Sequence, residues 1–317
     1  MQFSTKVPIP DSANPIGYDS KIVSLGSCFA ESIGEKFQYY HFENAINPFG
    51  IIFNPVSLER NIRRILQKES FTEKDIFFHN ELWHCFEVHS KASHPDKEYF
   101  LEHLNTTLER ANRQITEATH IFITLGTAWV YRDIASGEIV ANCHKVPQKQ
   151  FAKELLSTEA IQKSIQHISD LIFEANSKAV IVFTVSPVRH IKDGFTENQH
   201  SKSHLFAALH AVLGSAGPRL GYFPSYEIMM DELRDYRFYT EDMLHPNTVA
   251  IDYIWKRFTE TTVSPAAFPV METVDAIQKG LAHRPFNPDS ESHQKFLQHL
   301  NQKINTLVSR FPNMKFE

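Results

Sequence analysis

Residues 21–40, KIVSLGSCFAESIGEKFQYY, decide the reading of the fold. KIVSL (21–25) is a short apolar run that ends at Gly26. Beyond it Phe29, Ile33 and Phe37 recur at helical intervals, so a helix is expected over 29–39 with these three on its buried face. Strand, tight turn, helix is the opening of an α/β unit, and it leaves Ser27 where strand becomes helix.

The same alternation continues outward. HIFITL (120–125) and AVIVFTV (179–185) are nearly continuous apolar runs, as expected of strands covered on both faces. Shorter strands are expected at 41–45 and 220–223, and helices at 57–67, 97–117, 153–175, 199–213 and 247–258. Pro246 is the expected first residue of the last of these, and Ser225 the cap of a helix that follows it. Two hairpins interrupt the pattern, one in the aromatic stretch 75–89 and one turning at Gly137 between 129–131 and 139–140. From about Ser264 the chain turns to polar helices without strands. The expectation is an α/β domain over 1–263 with a mostly parallel sheet, and a helical appendage over 264–317.

Composition narrows the function. The formal charge is −5 with no long run of one sign, which disfavours a phosphate-backbone partner such as nucleic acid. No stretch approaches the ~18 apolar residues of a membrane span. The opening MQFSTKVPIPDSANP lacks an apolar leader core. The odd number of cysteines, Cys28, Cys85 and Cys143, argues for a reducing compartment rather than a disulfide framework. A cytoplasmic location, no membrane partner and no cofactor are expected.

In an open parallel sheet, ligands sit beyond the carboxyl ends of the strands. Those ends carry Gly26-Ser27-Cys28, NPFGIIFN (47–54), Gly126-Thr127, and, past 179–185, a segment with Arg189, His190, Asp193, Asn198 and Lys202. Asp242 and His245 precede the 247–258 helix. A serine at a helix start has free backbone N–H groups beside it, suited to an oxyanion. It needs a base, which His245 supplies, and Asp242 is close enough in a turn to orient the imidazole. Taken alone, Ser27 is equally well a helix cap and His245 a loop imidazole.

Gly26-Ser27-Cys28-Phe29-Ala30 spells GSCFA, and the chain resembles the GSCFA family, grouped with the SGNH (GDSL-like) hydrolases. The resemblance spans about 23–258 and includes NPFGIIFNP (47–55), LGTAWVY (125–131), ANCHK (141–145), SPVRH (186–190) and DMLHPN (242–247). It implies a flavodoxin-like three-layer α/β/α sandwich, the SGNH hydrolase fold, and a catalytic triad of Ser27, Asp242 and His245. It also implies oxyanion donors from the Ser27 N–H, a glycine N–H at Gly50, and an asparagine. Where the usual block reads Gly-x-Asn, this chain has Gly126-Thr127-Ala128, so either Thr127 donates or Asn142 reaches in. The expected activity is that of an esterase on an O-acyl ester, a small molecule or a carbohydrate, with Arg189 and His190 binding substrate. An acyltransferase and a non-catalytic binding module on the same fold are the alternatives. Cys28 competes with Ser27 as nucleophile, but Ser27 holds the SGNH position. His84, Cys85, His89, His94 and the pair Cys143-His144 fit no standard zinc spacing, so no metal is expected.

Overall fold

Alternation along the strands sorts the core into two layers. The computed structural model describes residues 5–214 and 217–316. The remaining positions, at the start of the expected α/β domain, within it, and at the end of the appendage, lie outside the described residues. The strands are β1 (Lys21–Gly26), β2 (Glu43–Ile46), β3 (Phe77–His79), β4 (Leu82–His84), β5 (His120–Leu125), β6 (Trp129–Asp133), β7 (Ile139–Val140), β8 (Phe151–Leu155), β9 (Val180–Val185) and β10 (Leu220–Tyr222). The helices are α1 (Cys28–Tyr39), α2 (Pro55–Gln67), α3 (Lys97–Glu117), α4 (Thr158–Ala175), α5 (Phe195–Leu213), the short α6 (Ser225–Glu227), α7 (Thr248–Thr262), α8 (Phe268–Leu281) and α9 (Glu291–Arg310).

Five strands form one parallel sheet in the order β10-β9-β5-β1-β2. Counting only these strands along the chain, that is 2-1-3-4-5, the flavodoxin-like order, with its reversal between β1 and β5. Val23, Leu25, Ile121, Ile123, Ile181 and Phe183 face one layer, where they meet Leu58, Ile62, Leu108, Ile165 and Leu205 of α2 to α5. Ile22 and Phe122 face the other, where Phe29, Ile33 and Phe37 of α1 meet Ile254, Trp255 and Phe258 of α7. A residue shifted by one along β5 would exchange these layers, which is why the register is set so firmly. The chain is thus an α/β protein with a central parallel sheet flanked by helices, consistent with a three-layer sandwich.

Outside the sheet, β3 pairs with β4 and β6 sits between β7 and β8, both antiparallel. Here the structure corrects the sequence reading. Lys153–Leu155 is not helix but the end of β8, whose register pairs Lys153 with Tyr131. The helix waits for Ser157, whose side chain caps Ala160 N. Ser225 caps no helix; its hydroxyl donates to Val185 O at 2.8 Å. Pro246 is not the first helical residue either. It bridges to Tyr239, and Asn247 takes over the cap of α7. Side chains with a better tertiary or capping partner win over local propensity at each of these places.

The C-terminal helices α8 and α9 bury Val270, Val274, Ile277, Leu300 and Leu307 between them, against Tyr18 and Tyr40. Among the described residues no helix is long and apolar enough to cross a membrane.

Phe37 is fully buried, with the rings of Phe42, Trp255 and Phe258 edge-on at 5.6, 5.0 and 5.7 Å. Phe37→Ala should lower unfolding free energy in urea by about 3–5 kcal/mol. A loss under about 1 kcal/mol would show that this aromatic cluster does not hold α1 to α7.

Candidate active site

The site begins with a residue that has no side chain. Gly26 ends β1 at φ +121°, a conformation other residues rarely adopt. A Cβ there would lie 2.2 Å from Thr124 O on the neighbouring strand. Its absence lets the turn close against β5: Ser27 N donates to Thr124 O at 3.0 Å and Ile52 N to Gly26 O at 3.0 Å. Gly26 N in turn donates to Asn47 Oδ1 at 2.8 Å. Ser27 caps α1, its Oγ accepting from Phe29 N at 3.3 Å, and is 1% exposed. Past β5, Gly126 N donates to Phe53 O at 2.7 Å, and a Cβ on Gly126 would lie 2.7 Å from Phe53 Cβ and 3.4 Å from Ser27 Cβ. The loops after β1, β2 and β5 therefore meet around Ser27, at the point where the sheet order reverses.

Asp242 and His245 lie in the turn before α7. Asp242 Oδ2 is 2.6 Å from His245 Nδ1. Its Oδ1 accepts from Thr240 Oγ1 at 2.6 Å, Leu244 N at 2.8 Å and His245 N at 3.0 Å. These donors, the Thr240 hydroxyl foremost, hold the Asp242 carboxyl well below the usual carboxylate range. Met243, between the pair, is in the left-handed region at φ 59°. Both partners of the pair are partly exposed.

This turn is tied to the end of β9. Arg189 N donates to Leu244 O at 3.3 Å, and the Arg189 guanidinium donates to Met243 O while lying 4.4 Å over the Tyr239 ring. Next to it, the His190 ring lies 6.1 Å from the Phe53 ring. A chain of neighbours, Gly126, Phe53, His190 and the 242–245 turn, thus links Ser27 to His245. Among the described residues Ser27 and His245 are not hydrogen-bonded to each other.

Sequence reasoning named Lys202 only as a polar residue past β9, and the structure gives it a central place. Its side chain is fully buried, with Nζ 2.8 Å from Gly126 O and 2.7 Å from Ser186 O. Burial lowers its pKa to about 7. Desolvation, then the Lys202 charge and His245, bring His190 down to about 3, so its imidazole is neutral. Asn47 was missed as an individual residue. Its Nδ2 is buried without a partner among the described residues. Neither role leaves a trace in local pattern, since each depends on what packs around the residue.

Most of the expected oxyanion donors are hydrogen-bonded within the fold. The Ser27 N–H is taken by Thr124 O, and the Gly50 N–H by Asn47 O at 2.7 Å in a turn of its own. The Thr127 hydroxyl is held by Ser201 Oγ at 2.8 Å and accepts from Trp129 N. Asn142 contacts Phe86 and His144, through its N–H and Oδ1, rather than Ser27. The Arg189 guanidinium, an expected substrate contact, donates to Tyr236 Oη and Met243 O, while its buried Nε has no partner among the described residues. In the hairpin cluster, His84 bonds Ser93 Oγ and His79 O, and His144 bonds Cys85 O. Among the described residues no set of three His, Cys, Asp or Glu side chains is placed to hold a metal ion.

The sequence matches the GSCFA family over residues 21–258 and the GSCFA domain protein, C-terminal domain, over residues 274–317. No curated protein matches it.

Burial raises all three thiols: Cys85 to about 12, Cys143 to about 11, and Cys28 also above its ordinary value. In the native protein a disulfide reagent near neutral pH should modify all three far more slowly than after unfolding in urea. A Cys28 that reacts at the rate of a free thiol would point to thiolate activation at that position and away from a packed role.

Proposed function

Because the chain belongs to the GSCFA family, we propose that it is an SGNH-type serine hydrolase that cleaves an O-acyl ester, of a small molecule or a carbohydrate. Ser27 is the nucleophile, His245 the base and Asp242 the residue that orients the base. The observation that carries this reading is the Asp242–His245 pair, formed at 2.6 Å on a turn tethered to the same sheet edge as Ser27. Nδ1 of His245 donates to the carboxylate, so Nε2 is the nitrogen left to receive a proton.

In the reaction Nε2 takes the Ser27 hydroxyl proton as Oγ adds to the acyl carbonyl. The carbonyl electrons move to oxygen, forming an oxyanion. When they return, the bond to the leaving alkoxy oxygen breaks, and His245 gives that oxygen its proton. Water then adds to the acyl-enzyme, passes a proton to His245, and the carboxylic acid departs as Ser27 regains its own. An acceptor hydroxyl in place of water would make the same site an acyltransferase. With the Ser27 and Gly50 N–H groups engaged, this reading assigns the oxyanion to the amide of Asn47, whose Oδ1 already holds Gly26 N while its Nδ2 is unpaired. Those engaged groups also favour a second reading, a binding module that keeps the polar cleft without turning substrate over.

Ser27→Ala should abolish covalent labelling by a fluorophosphonate, located by peptide mapping, whereas Cys28→Ala should retain it. Asp242→Asn should slow turnover of any accepted ester by about 10³–10⁴. A wild-type protein that resists the probe across the neutral range would leave the binding module as the better reading. Asn47→Asp keeps the acceptor for Gly26 N and removes the donor, so it should reduce kcat by about 10²–10³ in protein shown by circular dichroism to be folded at the assay temperature. Unaltered kcat would remove Asn47 from the oxyanion site.

A further inference from the structure

Lys202 is a fully buried ammonium with no carboxylate partner among the described residues. Its two hydrogen bonds go to carbonyl oxygens, those of Gly126 and Ser186, at the ends of β5 and β9. An ammonium has three protons, so one is left without an acceptor. A buried charge compensated only by neutral dipoles is unfavourable, and such an arrangement suits a site that acquires negative charge. The groups facing it are Cys28 on α1, His190 past β9, and the ring of Tyr226 on α6, 5.6 Å from Nζ. None of these brings a negative charge near neutral pH. Gly126, whose oxygen the ammonium holds, is the residue packed on Ser27.

We propose that Lys202 is a positioning residue for Ser27: its ammonium clamps the Gly126 and Ser186 carbonyls and supplies the fixed positive charge against which negative charge develops at Ser27. It acts through the Gly126 turn and through its field. It forms no hydrogen bond to Ser27 Oγ, which separates it from a neutral lysine base. The inference rests on the reading of Ser27 as nucleophile. The working form is the cation, and burial lowers its pKa to about 7. The sign follows: the effect is present below that value and lost as pH rises through it.

The test is the rate of Ser27 labelling by a fluorophosphonate across the neutral range, for wild type and Lys202→Met, with melting temperatures alongside. The variant should label about 10²-fold more slowly. The ratio of wild-type to variant rate, which cancels the base common to both, should fall as pH rises through about 7. Equal rates, or a wild-type rate that instead climbs through this pH under control of Lys202, would overturn the proposal. If Lys202→Met does not fold, Lys202→Gln takes its place in the same ratio, and a ratio that stays flat with pH overturns the proposal. A second readout does not depend on hydrolysis. The Lys202 charge lowers the pKa of the Cys28 thiol, so alkylation of Cys28 at fixed neutral pH should be slower in Lys202→Met. A protein whose Ser27 never labels, but whose Cys28 responds in this way, sinks the hydrolase reading and leaves the charged wall in place. An unchanged Cys28 rate sinks the charged wall.

Discussion

The structure depends on the bare α-carbon of Gly26. Two adjacent parallel strands lie close enough at this point that any side chain would meet the backbone of Thr124. With none there, β1 turns directly into α1, and the backbone of the turn is shared among three loops through Thr124 O, Asn47 Oδ1 and Ile52 N. Gly126 repeats the device one strand over, where close packing against Phe53 and Ser27 leaves no room for a Cβ. Two glycines beside the same serine let the backbone pack closely around it and leave it buried.

Burial divides the site electrostatically. Ser27, Lys202 and the imidazole of His190 stand in the desolvated part, where burial lowers the pKa of the lysine to about 7 and keeps the histidine uncharged. Asp242 and His245 stand at the rim, partly in water, with the carboxylate held ionised by hydroxyl and backbone donors. Charge developing in the buried part would be felt strongly, whereas the Asp242–His245 pair at the rim is open to solvent.

The two faces of the sheet serve this edge differently. One is covered by α2 to α5, and α5 carries Lys202 and Ser201 into the site. The other is covered by α1 and α7, whose first turns follow Ser27 and the 242–245 turn respectively. Ser27 and His245, the proposed nucleophile and base, thus stand at the starts of neighbouring helices held by one aromatic cluster built on Phe37, Trp255 and Phe258. The C-terminal helices pack on Tyr18 and Tyr40, away from the strand ends that carry the site.

By itself the sequence determined the α/β class, the strands β1, β5 and β9, most helices, and the carboxyl-edge position of Ser27, because apolar period and glycine–serine turns are local properties. It also named Asp242 and His245, which lie three residues apart and whose contact needs only one turn. It misjudged Lys153–Leu155, whose strand pairing with β6 comes from residues more than a turn away in sequence. It could not tell which N–H groups at this edge are free, because that depends on which carbonyl packs beside each, and Thr124 O reaches Ser27 only after β1 and β5 have paired. Only the tertiary structure set the charge state of Lys202 and His190. A lysine past a strand looks like any solvated lysine until α5 seats it beneath two carbonyls and removes its water, and desolvation is a property of the surroundings rather than of the residue.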